Sequence, residues 1–450
     1  KDLKPGRDVR LYFLQDRGVS GVPAGYIDWN LATRDAASEN PPTTPDITMK
    51  DPFAHVFTSG TTGMPKAAVT LHNRWALPLM LFGRMMLRLT PHDTIYIPLP
   101  FYHGTALYAG WPTAAAGGAA MAIRRKFSAS NFWKDVDRFN ATAFVYIGEL
   151  CRYLMQQPPD PRDGKNKLTK ILGSGLRPEM WKEFKSRFGI KEVYEFYGAS
   201  ESNFAFANVL NLDCTVGTCP LPFAIVKYDI ADEKPVKDEN GFFQRAEVGE
   251  AGLLLGQISD EAPFVGYTDE EATKKKILRN VFETGDAWYD SGDLLRDIGF
   301  KHVQFVDRLG DTFRWKGENV STTQVEAVIN SFDHILESNV YGVTIPATNG
   351  RVGMAAVITD RAPADFDLAG LFSTLKTDLP SYAVPIFIRF KTEFETTAAS
   401  MKIKKGNLKR EAFDPNQVSD PLYVLLPGNK AYVPLTEDIY SDIMDGIHKY

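Results

Sequence analysis

Between Ala54 and Tyr197 short apolar runs alternate with helical patterns, and this alternation most narrows the folds open to the chain. Ile95-Tyr96-Ile97, Ala120–Ile123, Ala143–Tyr146, Ile171-Leu172 and Val193–Phe196 read as strands. Residues 74–88, 129–139 and 178–188 read as helices, with Ser128 placed as an N-cap for the second. Such alternation predicts an α/β fold: a parallel sheet that holds ligands at the C-terminal ends of its strands. The loop 58–66 and the turns 173–177 and 197–202 each follow a strand, so all three are expected to face one crevice.

The first of these segments carries its own chemistry. Thr58-Ser59-Gly60-Thr61-Thr62-Gly63-Met64-Pro65-Lys66 follows the apolar run His55-Val56-Phe57. Glycines let backbone come close to a ligand. Exposed N–H and hydroxyl groups donate to phosphate oxygens, and a lysine adds charge. No Gly-Lys-Ser/Thr follows at the Walker A spacing. Alone, the segment reads equally as a polyphosphate loop or as an ordinary Gly/Thr turn.

Composition bounds the possibilities. The chain has 450 residues, enough for two or three domains, with 44% hydrophobic and 24% charged residues, as in a soluble globular enzyme. The net charge of −5 argues against nucleic acid as the main partner. Three cysteines (Cys151, Cys214, Cys219) fit a reducing, intracellular compartment rather than a disulfide framework. Cys214 and Cys219 lack the second Cys/His pair of a zinc site and read as ordinary thiols. The sequence has no run of 18 apolar residues, the length a transmembrane helix needs.

Five further motifs follow in order: Tyr197-Gly198-Ala199-Ser200-Glu201, Tyr289-Asp290-Ser291-Gly292-Asp293, Asp307-Arg308-Leu309-Gly310-Asp311, Lys316-Gly317-Glu318-Asn319-Val320 and Met401-Lys402-Ile403-Lys404. Together they resemble the adenylate-forming superfamily of acyl-CoA synthetases, peptide-synthetase adenylation domains and luciferases. The wording of Asp307–Thr322, with Val340-Tyr341-Gly342-Val343 and Gly353-Met354-Ala355-Ala356-Val357, resembles the very-long-chain acyl-CoA synthetase (fatty acid transport protein) group. The resemblance runs from about Phe53 to the C-terminus. Only 57 residues precede Thr58, and the first is Lys1 rather than Met. The family usually has a longer segment there, often with a membrane anchor in the transport group, so the N-terminal part is expected to be incomplete. With an anchor the protein would be membrane-associated, and without one cytoplasmic or peroxisomal.

The reaction this resemblance implies joins a carboxylate to ATP, giving an acyl-adenylate and pyrophosphate, after which the thiol of CoA displaces AMP. An anion must meet a polyanion, so cations and fixed donors have to neutralise the transition state. Lys66 and the groups of Thr58, Ser59, Gly60, Thr61, Thr62 and Gly63 would hold the β- and γ-phosphates. Glu201, with Thr58, would bind Mg2+, which takes few protein ligands and many phosphate and water oxygens. Tyr197 would stack on adenine, with Gly173-Ser174-Gly175 on the other side. Gly198 and Ala199 belong to the same turn, and Ser200 would touch the α-phosphate. Asp293 would bind the ribose hydroxyls through both carboxylate oxygens, and Arg308 would bridge ribose and phosphate. Lys402 would reach the carboxylate and the α-phosphate, with Lys404 and Lys405 as competitors. The usual Gly-Lys is Met401-Lys402 here. Pro100-Phe101-Tyr102-His103-Gly104 matches an aromatic-His segment in which His103 borders the acyl carboxylate; a structural His103 is the other reading.

The remaining sequence fills in the architecture. Residues 27–52 are polar and proline-rich and read as a surface connector. Residues 230–310 suggest an antiparallel unit. From Gly310 on, short strands and helices read as a small α+β domain. The expected division is a large adenylating domain, 1–309, and a mobile C-terminal domain, 310–450, with Gly310 as hinge. Rotation would bring Gly317, Glu318 and Asn319 to line the pantetheine tunnel. Phe204, Phe206, Gly104, Ala106, Ala109 and Gly110 read either as an alkyl tunnel or as core. The implied function is a long- or very-long-chain fatty acid CoA ligase. The alternatives are a ligase for a bile-acid or carnitine-like carboxylate and a lipid-uptake protein with vestigial adenylation. The substrates would be fatty acid, ATP and CoA, with peripheral membrane association and an oligomeric state the sequence leaves open.

Overall fold

Apolar β-branched and aromatic runs that are buried on both faces build parallel sheets. Ala143–Ile147 is such a run, with every residue buried, and it lies inside a sheet of this kind. The computed structural model describes residues 10–15, 21–58, 66–230, 232–316, 318–346, 348, 350–396, 403–448 and 450. It divides the chain into two units, Lys1–Asp51 and Pro52–Tyr450. In the first, β1 (Tyr12–Phe13) pairs in parallel with β2 (Ile27–Asp28). Asp28 caps the short helix Trp29–Ala32 by accepting from the N–H groups of Asn30 and Leu31. The proline-rich stretch beyond is exposed.

The second unit opens with β3 (Pro52–Thr58) and β4 (Lys66–Leu71), which form an antiparallel hairpin. The strand expected before the loop 58–66 is thus present, and it pairs with the strand after the loop. The seven residues between the strands are too few for a crossover, and a short connection returns the chain antiparallel. The parallel sheet is built from β5 (Thr94–Ile97), β6 (Ala120–Ile123), β7 (Ala143–Ile147), β8 (Lys170–Ser174) and β9 (Glu192–Tyr197), with β10 (Phe206–Ala207) antiparallel at one edge. The strand order is β10-β9-β8-β7-β5-β6. Helices Phe132–Phe139 and Pro178–Phe188 fall as expected. The helix expected at 74–88 changes character after Asn73–Pro78. Pro78 has no N–H to give, and Leu79–Leu87 continues as a π-helix that closes with Arg88 N–H on Gly83 O. The side chain of Ser128 caps no backbone N–H. Its hydroxyl accepts from Asn131 Nδ2 at 3.0 Å and lies 3.3 Å from Ser130 Oγ.

An antiparallel unit follows. β11 (Phe223–Val226) leads to the small hairpin of β12 (Tyr228–Asp229) and β13 (Lys234–Pro235). β14 (Ala251–Gln257), β15 (Ile277–Arg279), β16 (Ala287–Asp297) and β17 (Val303–Arg308) complete the sheet with β11. The separate hairpin of β18 (Phe313–Trp315) and β19 (Glu318–Val320) precedes a last sheet. That sheet runs β20 (Ile335–Val343), β21 (Val352–Thr359), β22 (Phe387–Phe390), β23 (Leu422–Val424) and β24 (Val433–Pro434) in order. Only β21 and β22 are parallel, joined through the helix Leu368–Asp378.

The parallel sheet and the C-terminal sheet each pack on an apolar core. Tyr96, Phe144, Tyr146 and Trp181 are buried in the first, and Phe313, Tyr341 and Phe387 in the last. Ion pairs join the C-terminal sheet region to the rest: Arg177 to Glu326 (2.9 Å), Arg152 to Glu337 (2.5 Å), Arg314 to Asp229 (3.2 Å) and Arg351 to Glu233 (3.3 Å).

Candidate active site

The ends of β8 and β9 lie side by side, because Gly173 is in register with Glu195. The chain turns at Gly175, where φ is +88°, a conformation glycine takes without strain. A side chain on Gly148 would run into the Gly175 carbonyl, so two backbones touch here. The turn is anchored from below by Glu195. Its buried carboxylate accepts from Gly175 N–H, from Leu176 N–H at 3.2 Å and from the hydroxyl of Tyr146 on β7. Burial pushes the Glu195 carboxyl up to about 8, against those three donors.

Two residues on, Tyr197 reaches across to the antiparallel sheet and donates to Asp293 Oδ2 at 2.6 Å. Burial and then the charge of Asp293 push its phenol well above the ordinary value. Asp293 on β16 is paired with Arg308 on β17, which explains their separation in sequence. Arg308 Nε lies 3.4 Å from Asp293 Oδ1. Both carboxylate oxygens therefore have partners. Each keeps further lone-pair capacity, enough for two ribose hydroxyls.

The turn that carries Glu201 is held from the helix after β4. Arg74 donates to the carbonyls of Ala199 (3.2 Å), Ser200 (3.3 Å) and Ser202. Burial lowers the pKa of its guanidinium, while Tyr108 and Glu201 act in the opposite sense. Tyr267 donates to Glu201 Oε1 at 2.8 Å, and the ammonium of Lys66 stands 5.5 Å from the centroid of the Tyr267 ring. The structure thus brings Lys66 and Glu201 to one place, although Lys66 lies on the separate hairpin. Among the described residues, Glu201 Oε2 accepts no hydrogen bond and no group of three His, Cys, Asp or Glu side chains could hold a metal. One carboxylate oxygen without a partner among the described residues fits magnesium, which draws most of its ligands from phosphate and water.

Gly104 sits beside this turn, with Ser200 Oγ 3.6 Å from where its Cβ would be. Neighbouring His103 accepts from Thr105 N–H through Nδ1 at 3.3 Å, capping the helix that follows. Phe204, Phe206, Ala106, Ala109 and Gly110 are buried, and the core reading holds for them: both phenylalanines pack in the antiparallel unit and both alanines under the parallel sheet. Gly310 has φ +84° and open space around it. The turn it makes is tied down by Lys409, which donates to Gly310 O and pairs with Asp311 at 3.2 Å. Lys405 is engaged with Asp311 (3.4 Å) and Glu326 (3.6 Å). Burial works against its ammonium, but Glu326, Asp311 and Asp307 outweigh that and raise its pKa. Lys404 is exposed, and Glu318 and Asn319 are exposed on β19. Ser59, Gly60, Thr61, Thr62, Gly63, Gly317 and Lys402, and the side chain of Thr58, lie outside the described residues.

Sequence reasoning missed Arg74, Glu195 and Tyr267. Glu195 had a signal: a carboxylate inside the strand pattern Val193-Tyr194-Glu195-Phe196-Tyr197 must be paired if it is buried. Arg74 and Tyr267 had none, because their partners lie more than 60 residues away in the sequence, at 125 or more for Arg74 and 66 for Tyr267.

The fold is shared with adenylate-forming ligases. ATP-bound MatB from Rhodopseudomonas palustris aligns with a TM-score of 0.66 at 23% identity, over 82% of this chain and 70% of that one. The anthranilate CoA ligase AuaEII, solved with anthranoyl-AMP, aligns with a TM-score of 0.70 at 18% identity, over 91% and 74%. The family description "AMP-binding enzyme" matches residues 15–250, and its C-terminal domain matches residues 324–400. The chain belongs to the AMP-binding enzyme family. Among curated relatives, the medium/long-chain-fatty-acid–CoA ligase FadD6 of Mycobacterium tuberculosis is 48% identical over 411 residues, covering 91% of this chain and 68% of the relative. Long-chain fatty acid transport protein 2 of Rattus norvegicus is 42% identical, covering 89% and 65%, and transport protein 6 of Mus musculus is 40% identical, covering 97% and 71%. The chain thus spans about two thirds of the length of these relatives.

Proposed function

We propose that this chain carries the catalytic centre of an ATP- and magnesium-dependent ligase. It joins long-chain fatty acids, and by extension very long ones, to CoA through an acyl-adenylate. The observation that carries this reading is the meeting of Lys66, Glu201 and the Tyr197–Asp293–Arg308 chain at the strand ends. Lys66 and the loop 58–63 hold the β- and γ-phosphates and release pyrophosphate. Asp293 and Arg308 hold the ribose, and Gly173–Gly175 and Tyr197 flank the base. Glu201, with Thr58, binds magnesium, which when present spreads the charge of the phosphates. Lys402 neutralises charge as the fatty carboxylate attacks the α-phosphorus. His103 borders that carboxylate.

Thiolation needs other groups at the same carbonyl, so in this proposal residues 310–450 form a small domain that turns about Gly310 against the large domain, 1–309. Glu318 and Asn319, with Gly317, then face the pantetheine arm. Peripheral association with a membrane belongs to the same reading, since relatives are named fatty acid transport proteins. Among the described residues no helix is long and apolar enough to cross a membrane. Incubation with palmitate, ATP, magnesium and CoA, followed by mass spectrometry, tests the reading. Palmitoyl-CoA and AMP in equal amounts are expected. ADP as the nucleotide product, or no thioester with any fatty acid, would overturn it.

A further inference from the structure

Three segments distant in sequence converge on one side chain that no sequence motif marks. We propose that Tyr267 is a positioning residue that presents Glu201 to the metal and steadies Lys66 beside it; this rests on the reading of Glu201 as the magnesium carboxylate.

Tyr267 is itself firmly placed. The segment 266–268 lies along β4 through a single antiparallel bridge, with Ala68 paired to Tyr267, Val69 N–H on Gly266 O at 3.1 Å and Thr268 N–H on Ala67 O at 3.0 Å. On the other side Tyr267 N–H donates to Thr273 Oγ1 at 2.9 Å. Its ring is thus fixed relative to β4, whose first residue is Lys66.

From that base the ring serves two opposite charges. Its hydroxyl donates to Glu201 Oε1, and the Lys66 ammonium faces the ring. A glutamate on a turn has three rotatable bonds, and holding it in one rotamer costs entropy whenever a metal binds. The Tyr267 hydroxyl settles that rotamer in advance and leaves Oε2 without a partner among the described residues, as partners of ligating carboxylates do. The ring face offers the Lys66 ammonium a cation–π contact at 5.5 Å, which steadies the lysine at the start of β4.

The test is ATP affinity measured by calorimetry without fatty acid, once at saturating magnesium and once with chelator. The ratio of the two affinities reports the metal's contribution and needs no turnover. Glu201→Gln should bring the ratio near one. Tyr267→Phe keeps the ring and loses only the hydroxyl, so it should lower the ratio by about tenfold while affinity in chelator stays within about twofold. Tyr267→Leu, which also loses the ring face, should weaken binding in chelator as well. Melting curves confirm folding, and Tyr267→Phe removes a single oxygen. A wild-type ratio in Tyr267→Phe beside a collapsed ratio in Glu201→Gln would overturn the proposal alone. An unchanged ratio in Glu201→Gln would overturn the metal reading and the proposal together.

Discussion

In the proposal Gly310 is the pivot, so one methyl group there should separate the two half-reactions. Its φ is +84°, and a Cβ built there meets nothing within 4 Å. Alanine therefore adds no clash, and its cost is the left-handed backbone alone, about 1–2 kcal/mol. If the other pose has negative φ at this position, that cost falls on the pose seen here and not on the other. Converted to populations, it is a shift of about five- to thirtyfold away from the present arrangement. Proline goes further, because it locks φ near −65° and cannot take the present value at all. The Gly310 N–H donates no hydrogen bond among the described residues, so proline removes no bond here. The assay separates the steps: pyrophosphate release without CoA for adenylation, and thioester formation from supplied acyl-AMP for thiolation. Gly310→Ala should slow one of them by up to the computed factor and spare the other. Gly310→Pro should abolish one. A Gly310→Pro protein that melts normally and runs both at wild-type rates would place the pivot elsewhere, with Leu309 and Asp311 as the next positions to vary.

Other consequences follow from the site. Arg74→Met removes three charge-assisted bonds to the turn of Glu201 and should cost about 3 kcal/mol of stability, read as a lower melting temperature. Arg74→Lys keeps the charge but not the fork and should recover only part of it. Glu195 has a folded pKa of about 8, above its ordinary value of 4.5. The folded state therefore holds the proton more tightly, and this group's stabilising contribution is full below about 4.5 and is lost as pH rises towards about 8. Glu195→Gln should flatten that part of the melting-temperature profile; an unchanged slope would mean the carboxylate is ionised without penalty. Arg389, buried between Glu411 (2.9 Å) and Asp420 (2.5 Å), should cost about 3–5 kcal/mol on replacement by methionine. A melting curve that does not move would show the two carboxylates find other partners.

Much of the fold was legible because burial on a periodic backbone leaves a periodic trace. The helix Pro178–Phe188 and the parallel strands follow from apolar spacing alone. What spacing does not contain is partnership. The run before Thr58 reads as a strand, but nothing in it says that it pairs with Lys66–Leu71 instead of joining the sheet. The aromatic pair Phe204 and Phe206 reads as tunnel or core with equal ease, because both environments reward apolar area. In the candidate site, Lys66, Glu201, Asp293 and Arg308 stood out because they sit in motifs. Arg74 and Tyr267 act through neighbours that only the folded chain supplies. Glu195 lay between these cases, since a carboxylate in a buried strand demands donors, but the sequence does not name them.

The most direct test of the whole account is a single-turnover experiment with Lys402→Ala beside the unaltered chain. Each protein is given a panel of carboxylic acids with ATP and magnesium, first without CoA, and pyrophosphate is followed. The unaltered chain should release one pyrophosphate per site with long-chain fatty acids before any CoA is added, and Lys402→Ala should release almost none. Supplied with preformed acyl-AMP and CoA, both should make thioester at similar rates, since in this proposal Lys402 serves adenylation only. No pyrophosphate from the unaltered chain with any acid, or equal loss of both steps in Lys402→Ala, would contradict the account.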